Sequence, residues 1–158
     1  MPVVRISDSD KQKQALTGQV IVQLKQQLDK RHAELASQYI EQCFRRVPLE
    51  DMMAESPASL AAIAIRQLDF LKQRKPGEML IRIFNPSTDE EGWESVHTIV
   101  ELVNDDMPFL VDTAAMTLAD LGLGIHLIIH PVVRVGRDKK GRLTGIHKKN
   151  SKKGTAES

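Results

Sequence analysis

The feature that most constrains the fold of this 158-residue chain is a change in hydrophobic period near residue 76. Before that point, apolar residues recur at intervals of three, four and seven, with Lys, Gln and Glu between them, which is the pattern of amphipathic helices. After it, short runs rich in β-branched residues are separated by turn signals, which predicts strands. The fold class is therefore predicted to be α+β.

Residues 1–76 are predicted to be a helical N-terminal segment folded as an α-hairpin. One helix spans residues 10–47 and ends at Pro48, because proline cannot continue a helix. The second begins at Ser56-Pro57, a capping residue followed by a first-turn proline, and ends at Pro76-Gly77. The apolar stripe of the first helix comprises Leu16, Val20, Leu24, Leu28, Leu35, Tyr39 and Cys43.

Residues 77–147 are predicted to be a second domain, with elements in the order β, β, α, β, β. A helix over residues 108–121 stops at Gly122, where a left-handed cap favours glycine. Residues 86–93 between the first two strands read as a polar loop, and residues 138–141 as a hairpin turn. The predicted strands cover residues 79–85, 96–103, 125–135 and the run that starts at residue 142.

The charge of the chain is concentrated at its end. The net charge is +1, yet residues 137–158 hold eight basic and two acidic side chains. Residues 148–158 are polar and basic, and we expect them to be a disordered tail. No aromatic residue follows Phe109, so base stacking is absent from the basic region and no nucleic-acid partner is expected.

Several other classes of protein are not expected. Cys43 is the only cysteine, so the chain has no internal disulfide and nothing marks it as secreted. No run reaches the ~18 apolar residues of a membrane helix, so no membrane partner is expected and the predicted location is the cytoplasm. No dinucleotide, phosphate-loop or nucleophile motif occurs. His126 and His130 share one strand face but lie ~13 Å apart, so no metal site, cofactor or catalytic residue is predicted.

The stretch NDDMPFLVD, residues 104–112, leaves two interpretations open. Acids and a proline before a helix can simply cap its free N–H groups and oppose its dipole. The same geometry can also be the edge of a site for an α-amino acid. The free N–H groups would then bind a carboxylate, and the acids of the turn would bind an ammonium group.

Residues 100–130, VELVNDDMPFLVDTAAMTLADLGLGIHLIIH, resemble the first β-α-β unit of an ACT domain. Asp106-Met107-Pro108 matches the D-x-P turn of that module, and Phe109 stands where ACT domains usually have glycine. The resemblance implies an antiparallel, ferredoxin-like sheet with one covering helix. An ACT unit has the order β-α-β-β-α-β, so the second helix and the last strand are missing here. The unit is therefore either truncated or completed by another copy of the chain.

A closer resemblance is to the N-terminal region of the large bacterial NAD-specific glutamate dehydrogenases. It rests on RIFNP (residues 82–86), GWESVHTIVELVNDDMPFLVD (92–112) and GLGIHLIIHPVVRVGRD (122–138). The resemblance implies that the full-length enzyme converts L-glutamate, NAD and water to 2-oxoglutarate, ammonia and NADH. The dehydrogenase domain and its NAD site would lie far downstream, so this segment is expected to be inactive and to hold no cofactor.

The implied role is regulation or assembly, with an amino-acid effector, the downstream dehydrogenase domain and a second copy of the chain as partners. Asp105 or Asp106 would hold the ammonium group, and Arg134 would be a second contact to the carboxylate. The full candidate effector site comprises Asn104, Asp105, Asp106, Pro108, Phe109, Leu110 and Arg134. The alternative is a purely structural oligomerisation module without a ligand, which a phenyl ring filling the pocket at Phe109 favours.

Overall fold

The computed structural model describes residues 7–158 and contains six α-helices in that range. They are α1 (Asp8–Gln27), α2 (Lys30–Cys43), α3 (Leu49–Met53), α4 (Pro57–Leu71), α5 (Thr88–Glu91) and α6 (Leu110–Asp120). A 3-10 turn, Phe44–Arg46, follows α2. The α+β class is confirmed, and α1, α2 and α4 pack against one another.

The first predicted helix is broken into two at Asp29, so the helical half is more than a hairpin. Leu28 adopts an extended backbone, and the Asp29 carboxylate accepts hydrogen bonds from the N–H groups of Arg31 (3.0 Å) and His32 (3.2 Å). An aspartate in this position caps a new helix, and the apolar period continues across it. The prediction of one helix over residues 10–47 is therefore wrong at this point.

The other helix boundaries follow local capping chemistry. Ser56 accepts a 3.0 Å hydrogen bond from the N–H of Ser59, as its predicted capping role requires. The helix it starts, α4, ends at Leu71 rather than at Pro76-Gly77. The predicted polar loop over residues 86–93 contains the short helix α5, and another short helix, α3, lies between the two predicted helices of the first half.

Five strands form two small antiparallel sheets. They are β1 (Leu80–Phe84), β2 (Ile99–Val103), β3 (Val133–Arg137), β4 (Leu143–His147) and β5 (Thr155–Glu157). One sheet pairs β1 with β2, with Leu80 opposite Val103 and Phe84 opposite Ile99. The other has the order β4-β3-β5, with Arg134 opposite both His147 and Ala156.

The prediction of one strand over residues 125–135 is wrong for most of its length. Only Val133–Arg137 is a strand, and the apolar side chains of Ile125, Leu127, Ile128 and Ile129 are exposed. Pro131 has no N–H to donate to a ladder. Residues 125–130 also have no neighbouring strand among residues 7–158, and a strand needs one to satisfy its backbone.

The tail is a second correction, because residues 155–157 form β5 instead of a disordered segment. Glu157 is only 3% exposed, and its carboxylate binds Arg74 and Arg137. Disorder was predicted from the many lysines of this segment, because composition does not show that the Glu157 carboxylate has distant arginine partners. The following residue, Ser158, exchanges two backbone hydrogen bonds with Asn104 just beyond β2, at 2.9 and 3.1 Å.

One cluster of buried apolar side chains joins the helices to the strands. It draws on α1, α2 and α4 from the helical half and on β2, β3 and β4 from the sheets. Val20, Leu24, Ile40 and Met52 are fully buried within it. The division of the chain into domains at residue 76 stays a prediction. No helix within residues 7–158 is both long enough and apolar enough to cross a membrane.

Candidate functional site

The turn between β2 and α6, residues 104–109, is fixed by backbone pairing with the end of the chain. Asn104 pairs with Ser158, and the N–H of Asp106 donates a 3.1 Å hydrogen bond to the carbonyl of Ala156. Asp105 forms the bridge position opposite Glu157. The turn thus continues β2 for three residues alongside β5, and successive side chains point to opposite faces.

Asp105 points to the opposite face of the strand from Asp106, is 47% exposed, and is bound by Arg74. The Nη2 of Arg74 donates a 2.8 Å hydrogen bond to Oδ1 of Asp105, and the N–H of Gly77 donates one of 3.2 Å to Oδ2. The hydrogen bond from Arg74 lowers the pKa of the Asp105 carboxyl, and partial burial opposes this only in part. Asp105 is therefore a structural anion whose oxygens are already engaged.

Arg74 belongs to a buried ion network with Glu157 and Arg137. Arg74 is 1% exposed, and its Nη1 donates a 2.7 Å hydrogen bond to Oε1 of Glu157. Arg137 binds the same carboxylate through Nε and Nη2, both at 2.8 Å. Burial alone would lower the pKa of the Arg74 guanidinium, but Asp105 and Glu157 outweigh it and raise that pKa. The network connects the α4–β1 link, the end of β2, β3 and β5.

The N-terminus of α6 carries no side-chain cap. Phe109 occupies the N-cap position with φ 64° and ψ 11°, and no side chain bonds the first turn. Phe109 is the only non-glycine residue with positive φ within residues 7–158. Glycine adopts this left-handed conformation without steric cost. The Phe109 backbone thus adopts a conformation that suits glycine, while its side chain is 76% exposed.

The outer face of the sheet brings Asp106 and Arg134 into one row across Ala156. Arg134 of β3 lies opposite Ala156 of β5, and Ala156 lies opposite Asp106. Residues opposite one another in antiparallel strands present their side chains on the same face. Two strand spacings separate the Cα atoms of Arg134 and Asp106 by roughly 10 Å. The methyl side chain of Ala156 leaves the space between these opposite charges open.

Comparison with known proteins points to one family. The family model described as "Glutamate dehydrogenase, ACT1 domain" matches residues 39–158, which is most of the chain. The chain belongs to this family. The match begins within α2 and includes every strand, the turn at residues 104–109 and the whole buried ion network.

Two curated relatives of this ACT1 chain are NAD-specific glutamate dehydrogenases. The protein of Halomonas elongata is 34% identical over 131 residues, which is 83% of this chain and 8% of that protein. The protein of Pseudomonas aeruginosa is 32% identical over 113 residues, which is 72% of this chain and 7% of that protein. The chain thus spans less than a tenth of the length of either relative. No solved structure matches it.

The ACT1 fold brings together only part of the site predicted from sequence. Asp106 and Arg134 share a face, and Asn104 lies next to them in the ladder. Asp105 is turned to the opposite face. Pro108 precedes the N-cap, and Phe109 and Leu110 begin α6. The prediction that acids of the turn cap this helix is wrong, because Asp105 binds Arg74 and no side chain caps α6.

Sequence reasoning missed Arg74, Glu157 and Ala156. Arg74 falls inside the second predicted helix, which was expected to end at Pro76-Gly77, and Glu157 falls in the predicted tail. A long-range ion pair leaves no periodic signal in a sequence.

Two other polar features lie away from this row. A cleft of about 680 Å³ between α2, α4 and β4 has Arg31, His32 and Lys72 on its rim. The rings of His97 and His126 lie 4.4 Å apart, a contact that spacing along the chain did not predict. Within residues 7–158 no three His, Cys, Asp or Glu side chains come together as a metal site would require.

Proposed function

We propose that this ACT1 chain is the non-catalytic regulatory module of a large NAD-dependent glutamate dehydrogenase. The support is the family match and the two relatives, whose names state that activity. The whole protein would oxidise L-glutamate to 2-oxoglutarate and ammonia with reduction of NAD, in the cytoplasm. NAD and the catalytic groups would belong to the dehydrogenase domain, with which this module would be covalently linked.

The effector of the module is proposed to be an α-amino acid bound across the outer face of the sheet. The observation that carries this is the row Arg134–Ala156–Asp106. To bind both charged groups of a zwitterion, a site needs one cationic and one anionic side chain on either side of the ligand. The row provides Arg134 and Asp106, with the small Ala156 between them. The carboxylate of Asp106 would accept from the ammonium group, and the guanidinium of Arg134 would donate to the carboxylate.

Arg134 keeps part of its guanidinium free for this contact. Its Nε donates a 3.1 Å hydrogen bond to the carbonyl of Lys153. Within residues 7–158 its two Nη groups have no hydrogen-bond partner. The guanidinium can therefore still bind a carboxylate through the Nη side of its fork. Asp105, which sequence reasoning offered as an equal candidate, is excluded from this role by its bonds to Arg74.

Binding at this row would be coupled to the buried network on the opposite face. Asp106 and Ala156 are direct neighbours of Asp105 and Glu157, which bind Arg74. A ligand that holds Asp106 and Arg134 together would therefore restrain β5 between β2 and β3. A coupling free energy of about 1–3 kcal/mol is typical for allosteric control and would suffice.

The test is calorimetric titration of the chain with each of the twenty amino acids, repeated on Asp106→Asn and Arg134→Gln. We expect one amino acid to bind and each variant to weaken it at least about tenfold, the loss of one charge-assisted contact. Asp112→Asn, which removes an exposed acid in the first turn of α6, is the control and should bind normally. Equal binding by all three variants would refute the site, and no binding at millimolar ligand would refute the sensing role.

A second candidate function, assembly of the enzyme without a ligand, is favoured by the exposed Phe109 ring. Met107 of the same turn, Met116 of α6 and Leu121 at the far end of that helix are also exposed, and exposed apolar surface can mark an interface. The partner would be a second copy of the chain. Sedimentation at increasing protein concentration should then show a dimer that Phe109→Ser disrupts, whatever amino acid is present.

A further inference from the structure

The cleft between α2, α4 and β4, about 680 Å³ in volume, has walls that are joined to one another. The hydroxyl of Tyr39 on α2 donates a 3.1 Å hydrogen bond to Oε1 of Gln67 on α4. The N–H of Leu143, the first residue of β4, donates one of 2.9 Å to the carbonyl of Lys72 just after α4. α2 also packs against β4. The three walls are therefore held in place relative to one another.

The lining of the cleft is rich in aliphatic surface. Five aliphatic side chains contribute to it: Leu28, Leu35, Ile65, Leu68 and Leu143. Leu68 is buried, whereas the other four are only half buried although they pack against the core. They therefore leave apolar surface in contact with water, which a ligand could cover. No aromatic side chain of residues 7–158 lines the cleft, so a flat ring would find nothing to stack on and an aliphatic chain fits best.

Arg31 adds a cation to this aliphatic lining. Arg31, Leu35 and Gln38 all line the cleft and are spaced by four and three residues, so they lie along one face of α2. Only the backbone N–H of Arg31 is bonded, to the carboxylate of Asp29. Within residues 7–158 its guanidinium has no hydrogen-bond or ion-pair partner. The guanidinium is therefore available to a ligand in the cleft.

The other charged side chains of the lining differ from Arg31 in their partners or their sign. Lys72 forms an ion pair with Asp69, and His32 contacts the carboxylate that caps α2. Glu34, three residues after Arg31, is exposed and lines the cleft as well. Glu34 would repel a bound carboxylate and attract a bound ammonium group. Substitutions at Arg31 and Glu34 together therefore reveal the charge of the ligand.

We propose that this cleft binds an aliphatic carboxylate. The hydrocarbon chain covers the exposed parts of the five aliphatic side chains, and the guanidinium of Arg31 donates hydrogen bonds to the carboxylate. The volume of the cleft lies in the range of roughly 300–1,000 Å³ that small-molecule sites occupy. The lining residues on the α2 side, 28–38, precede residue 39, where the family match begins, so the site is additional to what that match describes. It shares no residue with the row Arg134–Ala156–Asp106 and does not depend on amino-acid binding there.

A ligand in this cleft would touch elements from both halves of the chain. α2 and α4 belong to the helical half, and β4 belongs to the sheet that includes β5. The link from α4 to β4 beside the cleft is the bond between Leu143 and Lys72. Two residues further on, the N–H of Arg74 donates a 2.9 Å hydrogen bond to the carbonyl of Gly141. Because a ligand that binds only the folded chain stabilises it, binding should raise the melting temperature.

The experiment compares octanoate with octylammonium, which has a chain of similar length and the opposite head charge. Methyl NMR signals of Leu35, Ile65 and Leu143 report binding in the cleft. We expect octanoate to shift these signals, to raise the melting temperature and to bind at least about fivefold more tightly than octylammonium. Hexanoate, which has two fewer methylenes, should bind at least about fourfold more weakly than octanoate. The methyl signals of Ile81 and Ile83, which are exposed on β1, should not shift.

Three substitutions test which side chain selects the head group. Arg31→Gln should abolish the preference for octanoate over octylammonium. Glu34→Gln should tighten octanoate binding by about twofold, because it removes a repulsive charge. Lys30→Gln removes a positive charge next to Arg31 from a side chain that does not line the cleft, and it should bind octanoate like the native chain. All three positions are exposed on α2, so these substitutions should leave the fold intact.

Several results would overturn the proposal. A preference for octylammonium, or no preference, would do so, and so would a preference for octanoate that survives in Arg31→Gln. Shifts at Ile81 and Ile83 as large as those in the cleft would mean that octanoate coats any exposed apolar surface. An absence of binding at millimolar octanoate would also refute the site. Asp106→Asn should leave octanoate binding unchanged, and Arg31→Gln should leave amino-acid binding unchanged, so the two sites can fail separately.

Discussion

Arg74 and Glu157, 83 residues apart in sequence, meet through a 2.7 Å hydrogen bond with both side chains buried. Arg74 follows the helical half of the chain, and Glu157 lies in its last strand. The pair thereby joins the ends of the ACT1 fold around Asp105 and Arg137. A charge buried in this way is costly unless it is fully paired, so the network makes the position of β5 conditional on these partners.

Glu157→Gln should destabilise the chain strongly. The substitution keeps the shape but leaves Arg74 and Arg137 without their shared carboxylate, and breaking a buried ion pair costs about 3–5 kcal/mol. The measurement is urea unfolding followed by circular dichroism. The control is Arg142→Gln, which removes an exposed pair with Asp138 and should cost less than about 1 kcal/mol. Equal effects would show that the network adds nothing beyond a surface pair.

Asp105→Asn should flatten the acid dependence of stability. The pKa of Asp105 is lowered in the folded chain from its ordinary value of 3.8. Stability from its bond to Arg74 is therefore fully present above the unfolded pKa and is lost as pH falls through the lower folded pKa. Unfolding free energies at pH 6, 5, 4 and 3 should fall less steeply for Asp105→Asn than for the native chain. Asp112→Asn serves as the comparison. If stability fell with pH as steeply in Asp105→Asn as in Asp112→Asn, the ion pair between Asp105 and Arg74 would not be the source of the acid dependence.

Cys43 should be inert in the folded chain. It is 4% exposed, and burial raises the pKa of its thiol to about 12. Only the thiolate reacts with disulfide reagents. Because the pKa of Cys43 is about 12, almost none of its thiol is ionised at pH 8. Modification with an aromatic disulfide reagent should be at least about a hundredfold slower than in 6 M urea, tracking the opening of the core. Rapid reaction under native conditions would mean that α2 does not pack as described.

Phe109→Gly should stabilise the isolated chain slightly. Phe109 holds φ at 64° and is mostly exposed, so it bears the left-handed strain with little burial in return. Relief of about 1–2 kcal/mol of strain is partly offset by the greater freedom of glycine when unfolded, about 0.4–1 kcal/mol. The net gain in thermal unfolding should be about 0.5–1 kcal/mol. Phe109→Ala keeps the strain and should show no gain; a gain with alanine as well would attribute the effect to the ring.

The sequence predicted those elements whose signals are local. Ser56-Pro57 marked the start of α4, and Gly122, with φ 74°, marked the end of α6. The alternation of residues 79–85 predicted β1. Asp29 shows the limit of such reasoning. The apolar period continues unbroken across it, so its role as the cap of a new helix is recognised only when the course of the backbone is known.

Strands that depend on distant neighbours could not be placed in this way. Residues 125–130 have the composition of a strand but lack a partner within residues 7–158, while residues 155–157 have the composition of a tail and are paired on both sides. Pairing, rather than propensity, decides which segment becomes a strand.

The candidate site divides along the same line. The sequence by itself determined the fold class, the family and the turn that holds Asp105 and Asp106, because the patterns that indicate all three lie within continuous segments of the chain. Only the tertiary structure decided that Asp105 is a buried-network anion and that Asp106 faces Arg134 across Ala156. The reason is geometric: successive residues of a strand point to opposite faces, and the partners that each face meets come from segments far away in the chain.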